Sequence, residues 1–318
     1  MATNLPSDNF THTHGQPPSF EAISHQAHQD WYEKFYTDVL AKEAVMESWK
    51  ASASNPTINN WLHARMWNLA DVLATPGSNW LTVGDGYGFD AHYLLQKSCS
   101  VIASDISPSF LPLAQSNGFI NEYSIQNAEQ LTFPDNHFDY VLCKEAYHHF
   151  PRPYLAVYEM LRVARKAVIL IEPHDPISKM PLLLLLRNIL DSINPRLLQR
   201  FWKNRYSFEK VGNYVFKLSE LEIEKLAMGM NLPAVAFKGI NNNYYRPGIG
   251  NSSLNSKDFQ RIRLKVNFHN LLSKAGFIPY QVLGAIIFKE LPTESTTSLL
   301  SKNGFCYYSL PRNPYLNK

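Results

Sequence analysis

The sequence predicts an α/β protein built on a doubly wound, mostly parallel sheet of seven strands, with an inserted, mainly helical cap. Three observations carry this prediction. Short apolar runs alternate with helix-length segments between Trp80 and Pro173, the rhythm of a parallel sheet covered by helices. The run "AVILIEP" (167–173) is dense in branched apolar residues, as a strand buried on both faces is. After Pro176 the rhythm stops and resumes near Lys257.

With 318 residues, 45% of them apolar, the chain can bury a full core, as one large domain with additions or as two domains. Residues 1–20 are polar and rich in proline and histidine, and are expected to be disordered; His12 and His14 fall there. An aromatic helical segment covers 21–59, and a second helical pattern runs from Asn60 to Ala74, broken by "TPGSN". The predicted strands are then "WLTVG", "VIASD", "EYSI", "FDYVLC" and "AVILIEP", with helices near 89–97, 109–117 and 153–164. Residues 177–256 read as the inserted cap, with a leucine-rich helix and another at 219–229. Residues 257–290 read as a helix and two closing strands, "IPYQVL" and "AIIFKE", divided at Gly284. The tail 291–318 shows no strong period.

Several function classes are disfavoured by composition. A net charge of +3 is too slight for the basic patch that nucleic acid demands. Cys99, Cys143 and Cys306 are too few and too scattered for a disulfide framework or a zinc site, so no metal is expected. The first residues lack a signal-peptide pattern, and the greasiest run, "MPLLLLLRNIL", is about half of the ~20 residues that cross a bilayer. A soluble, cytoplasmic protein is the expectation.

The segment "LTVGDGYGFD" places Gly84, Gly86 and Gly88 where a strand ends and a helix begins. Ligands of open parallel sheets bind at such strand ends, and glycines let them approach the main chain. Asp105 ends the next strand 21 residues after Gly84, where a carboxylate can accept hydrogen bonds from a ribose. The dinucleotide fingerprint needs a third glycine where Phe89 stands, so a nicotinamide-dependent oxidoreductase is only an alternative.

With these features in place, "NAEQLTFPDNHFDYVLCKEAYHHF" (127–150) resembles the corresponding segment of class I S-adenosylmethionine-dependent methyltransferases. The likeness is to the type 11 branch, which includes ubiquinone-pathway and many small-molecule enzymes. It covers roughly residues 60–176 and continues more weakly through 257–290. The resemblance implies a Rossmann-like methyltransferase fold, with 60–176 as the cofactor-binding core and 21–59 as an N-terminal helical lid. It implies that the loop of Gly84, Asp85, Gly86 and Gly88 lies against the methionine part of S-adenosylmethionine. Asp105 would then hold the ribose and Ile106 would pack on the adenine. Asn127 stands where the family usually has an Asp that bonds the adenine amino group; Ala128 would offer its amide, with Glu129 flanking. Cys143 and Lys144 would line the methionine end. Thr82 departs from the family, which usually carries an acidic residue there; the loss implies weaker cofactor affinity, compensation by Asp85 inside the loop, or a degenerate site.

Methyl transfer needs alignment above all, and oriented placement supplies about 7–11 kcal/mol. A hydroxyl acceptor also needs a base. His148, His149 and His174 fall at strand ends, and His174 or His148 is the expected base, with Glu172 and Asp175 as orienters of His174. Residues 177–210 hold seven basic residues against Asp191 and Glu209, interleaved with leucines. Such a stretch either packs as a cap or meets a membrane surface or lipid-linked acceptor. The loop "KGINNNYYRPGIGN" reads as a polar acceptor lid, and Trp31, Tyr32 and Tyr36 as the opposite wall. The expected function is methyl transfer to a small-molecule acceptor, with a sugar hydroxyl first and a lipid or quinone next. A non-catalytic S-adenosylmethionine-binding protein is the alternative of another class.

Overall fold

The computed structural model describes residues 18–35, 39–176, 179–194, 196, 208–209, 213–242 and 248–315. His12, His14, Tyr36, four of the seven basic residues of 177–210 (Arg200, Lys203, Arg205 and Lys210) and residues 243–247 of the polar loop lie outside the described residues, as does the side chain of Tyr32. Three helices open the chain: α1 (Phe20–Phe35), α2 (Val39–Ser54) and α3 (Ile58–Trp67). Thr57 caps α3 in a reciprocal box with Asn60, satisfying two amides that the first helical turn leaves free.

The α/β unit follows as β1 (Asn79–Val83), α4 (Phe89–Leu95), β2 (Ser100–Asp105), α5 (Leu111–Ser116), β3 (Glu122–Ile125), β4 (Phe138–Lys144), α6 (Pro153–Val163) and β5 (Ala164–Pro173). Then come α7 (Pro181–Ile193), α8 (Glu220–Gly229), β6 (Ala234–Ile240), α9 (Lys257–Lys274), β7 (Val282–Phe288), α10 (Glu294–Lys302) and β8 (Cys306–Ser309). Among the described residues the strands form one eight-stranded sheet in the order β3-β2-β1-β4-β5-β7-β6-β8. Strands β1 to β5 pair in parallel, and β7 runs antiparallel to both β5 and β6. This is the Rossmann-like methyltransferase fold. Apolar layers cover both faces: Trp80, Ile169 and Ile286 are buried on one, Leu81, Val168 and Ile287 on the other.

Three sequence expectations need correction. "AVAFKGI", inside the segment read as a cap, is strand β6, and α8 is the crossover that leads into it. Its small residues carry little strand signal because the strand is buried between helices rather than half-exposed. "IPYQVL" and "AIIFKE" are not two strands: β7 runs unbroken through Gly284, which is glycine because Leu69 lies against it. The tail is also structured, since α10 and β8 add an eighth strand beside β6. Helix α7 packs no residue into a core among the described residues: Leu182, Leu185, Leu186, Ile189 and Ile193 are exposed. No helix among the described residues is long and apolar enough to cross a membrane.

A Cβ on Gly284 would sit 2.8 Å from Leu69 Cδ1. Gly284→Val is therefore expected to lower stability by ~1–3 kcal/mol, although valine favours strands. Urea unfolding checks this, and Leu69→Ala in the same chain should recover part of the loss; equal stability of Gly284→Val and the parent would contradict the packing.

Candidate functional site

Strand β1 leads the chain toward β2 and β3, while β4 lies on its other side, so the main chain diverges at their carboxyl ends. A crevice opens at this point, as it does in open α/β sheets generally. It is a cavity of about 500 Å³. Gly84 and Tyr87 form one wall with Asp105, Ile106 and the segment Gln126–Ala128. The turn after β4 supplies Glu145, Ala146, His149, Phe150 and Pro151. Helix α1 roofs it with His25, His28 and Trp31, and Phe208 and Glu209 close the side. Gln29 Nε2 fastens that roof to the Ile106 carbonyl at 3.0 Å, and Glu21 meets Arg152 at 3.4 Å.

Gly84 has φ +73°, and a Cβ there would lie 2.3 Å from Ala146 Cβ, so the wall at this point is bare main chain. Gly86 and Gly88 do not line the cavity; Gly88 is the N-cap of α4. Asp85 is turned inward. Its carboxylate accepts the Asp90 and Ala91 amides at 3.2 and 2.8 Å and the Thr82 hydroxyl at 3.0 Å. Thr82 and Asp85 thus order the loop together, each through the other. Burial first, and Asp90 second, push the Asp85 pKa up to about 7. Lys144 is also buried, 3.2 Å from Asp90; burial opposes its charge, but the Asp90 carboxylate prevails and raises its pKa. Asp90 in turn accepts from Trp67 Nε1 at 2.6 Å. Cys143 is buried beside Glu172, and the cavity is lined only from Glu145 onward. Glu145 itself takes φ +52°, a costly conformation for a side chain other than glycine.

Asp105, 7% exposed, accepts the Ser107 amide on Oδ1 at 2.7 Å, and burial raises its pKa to about 6. Asn127 Oδ1 accepts the Glu129 amide at 2.9 Å and retains a second lone pair. Glu129 does not line the cavity: Arg152 holds it through its amide at 2.6 Å and its guanidinium at 2.7 and 2.8 Å.

The histidines sort by contact. Glu172, fully buried, accepts the amides of Ala146 and Tyr147 at 2.8 and 2.9 Å and binds His148 Nδ1 at 2.6 Å. It therefore orients His148 rather than His174. His148 and His174 are not among the lining residues. His174 Nδ1 faces the Tyr280 carbonyl at 3.1 Å, and its amide donates to Gln281, tying β5 to the approach of β7. His149 does reach the cavity, with Nδ1 2.5 Å from Glu209 Oε2. His28 stands beside it, ring centroids 5.1 Å apart, its pKa pushed to about 4 by burial and by His149. Sequence reasoning missed His25, His28, Gln126 and Glu209 as lining residues; only the i, i+3 spacing of His25 and His28 gave a local signal. The polar loop turns inward at its start, with Asn241 and Asn242 bonded to Ser273 and the Leu62 carbonyl.

Residues 81–171 match the family described as "Methyltransferase domain". The match spans β1 to β5 and the whole divergence point, so the stretch that builds the crevice is similar to methyltransferase domains. Among solved structures the chain is similar to the YcgJ protein of Bacillus subtilis (18% identity, 72% of this chain and 100% of that one, TM-score 0.44). It is also similar to magnesium protoporphyrin IX methyltransferase of Synechocystis PCC 6803 (14% identity, 83% and 99%, TM-score 0.44). No curated protein matches the sequence.

Asp85→Ala is expected to cost ~1–3 kcal/mol, because it strands two amides and a hydroxyl inside the protein. The Asn variant carries a pH signature. The Asp85 pKa is higher folded than unfolded, so its contribution to stability falls as pH rises from about 4 to about 7. The stability gap between the parent and Asp85→Asn should narrow over that interval in denaturant titrations, and a widening gap would refute the assignment.

Proposed function

We propose that the protein transfers a methyl group to a hydroxyl of a small-molecule acceptor, of which a sugar hydroxyl is the first candidate. The observation that carries this reading is the placement of Asp105 on the wall of the divergence-point cavity that Gly84 also lines, both within the segment that matches the methyltransferase domain. The residues fit the cofactor. A buried carboxylate that lines the cavity and already accepts the Ser107 amide suits a ribose, and Ile106, Gln126, Asn127 and Ala128 supply an apolar and amide wall for adenine. At Gly84 the missing side chain leaves main chain for the amino-acid end. When bound, S-adenosylmethionine supplies an activated methyl on a sulfonium. The chain's own work is to orient the two reactants and to exclude water, with α1 as the roof.

On the acceptor side the wall offers His28, His149, Glu145 and Glu209, which suit a hydroxyl-bearing molecule. His148, fixed by Glu172, serves in this reading as a positioning residue for the turn that carries His149. A second reading, an acceptor carried on lipid, is supported by the exposed leucines of α7.

Calorimetry tests the cofactor pose. Asp105→Asn should weaken S-adenosylmethionine binding ~10–100-fold, the loss of a hydrogen bond to a charged group. Burial raises the Asp105 pKa to about 6 and the ribose hydroxyls need the carboxylate. Parent affinity should therefore fall as pH drops below 6, and that slope should be absent from Asp105→Asn. An unchanged affinity would sink the pose. Formation of S-adenosylhomocysteine with free glycosides, against the same glycosides on lipid in vesicles, separates the two acceptor readings.

A further inference from the structure

We infer that His28, His149 and Glu209 form a binding site for a divalent cation of the zinc type in the wall of the cavity. Nδ1 or Nε2 of each imidazole and one oxygen of Glu209 all lie within 4.8 Å of one another. Nitrogen and carboxylate ligands stand about 2.0–2.2 Å from such an ion, so two of them at a tetrahedral angle are about 3.4 Å apart. Small rotations of side chains that already face each other close the remaining distance. His149 Nδ1 and Glu209 Oε2 are closer than that, at 2.5 Å, as expected of two ligands sharing a proton in the ion's place.

The composition of the group argues in the same direction. A His–Glu pair alone accounts for His149 and Glu209 but gives no reason for a second imidazole at their side. Among the described residues neither ring nitrogen of His28 has a hydrogen-bond partner, although the ring is half-buried. Two neutral imidazoles and one carboxylate form a donor set that suits borderline cations and leaves a fourth position open, the arrangement of catalytic rather than structural zinc. That position faces the cavity, because all three residues line it.

The three ligands come from separate parts of the chain: α1, the turn after β4, and the segment following α7. An ion held there joins the roof to the sheet and to the side wall. Resting on the methyltransferase reading, the open position would take the acceptor oxygen and lower its pKa, its proton passing to water, so that no side-chain base is required.

Titration of the purified full chain with Co²⁺ and with Zn²⁺ tests this, in a His12→Ala/His14→Ala background that removes the tail imidazoles. One equivalent should bind, with the d–d absorption of low-symmetry cobalt and a rise in melting temperature that grows with metal concentration. His149→Ala and, independently, Glu209→Gln should each weaken binding at least tenfold while retaining the circular dichroism of the parent. Binding that survives both substitutions, or that vanishes with His12 and His14, overturns the site. Calorimetry with S-adenosylmethionine on the same protein keeps the two readings apart: one equivalent of metal without cofactor binding would fail the methyltransferase pose and leave the cation site standing.

Discussion

The site depends on one buried carboxylate. Glu172 lies at the end of β5 with no exposure, where an unpaired charge would be very costly. It is paired by two consecutive amides and one imidazole, all from residues 146–148, with the Cys143 thiol as a further, longer partner at 3.9 Å. The fixed turn does two jobs. It presses Ala146 against Gly84, which makes a side chain at that glycine impossible, and it delivers His149 to the cavity wall. A second buried set, Asp85, Asp90 and Lys144, does for the β1 loop what Glu172 does for the β4 turn. The two ends of the crevice are thus set by charges that are satisfied inside the protein, and the groups left facing the cavity are available to ligands.

This division explains why some residues of the functional motif are not on the wall. Asp85, Lys144 and Cys143 belong to the same stretches as Gly84 and Glu145, yet their side chains face inward and hold the backbone that the wall consists of. A strand end alternates its side chains, so neighbouring residues of one motif necessarily part company. Sequence proximity to a motif therefore identifies a loop, whereas the direction of each side chain decides its role.

Much of the fold was legible because its signals are local. β1, β2, β4 and β5 are apolar runs with sharp boundaries, and Gly84 and Asp105 sit at their ends. β6 was hidden because Ala234, Ala236 and Gly239 carry no strand preference; pairing between β7 and β8, a tertiary fact, makes them a strand. Gly284 read as a break because the contact that demands it, Leu69, is over two hundred residues away in sequence. The lining histidines follow the same pattern. His28 looked like any polar residue of an amphipathic helix, and Glu209 like a counter-charge in a basic stretch, until folding brought them to His149.

The last strand has a consequence for behaviour in concentrated solution. β8 covers the outer rim of β6, and the chain then passes through Pro311 and Pro314, which cannot donate to a further ladder. At the opposite rim stands β3, which like β8 has four residues. Among the described residues both borders of the sheet are therefore short, which blunts their recruitment of a neighbour's backbone.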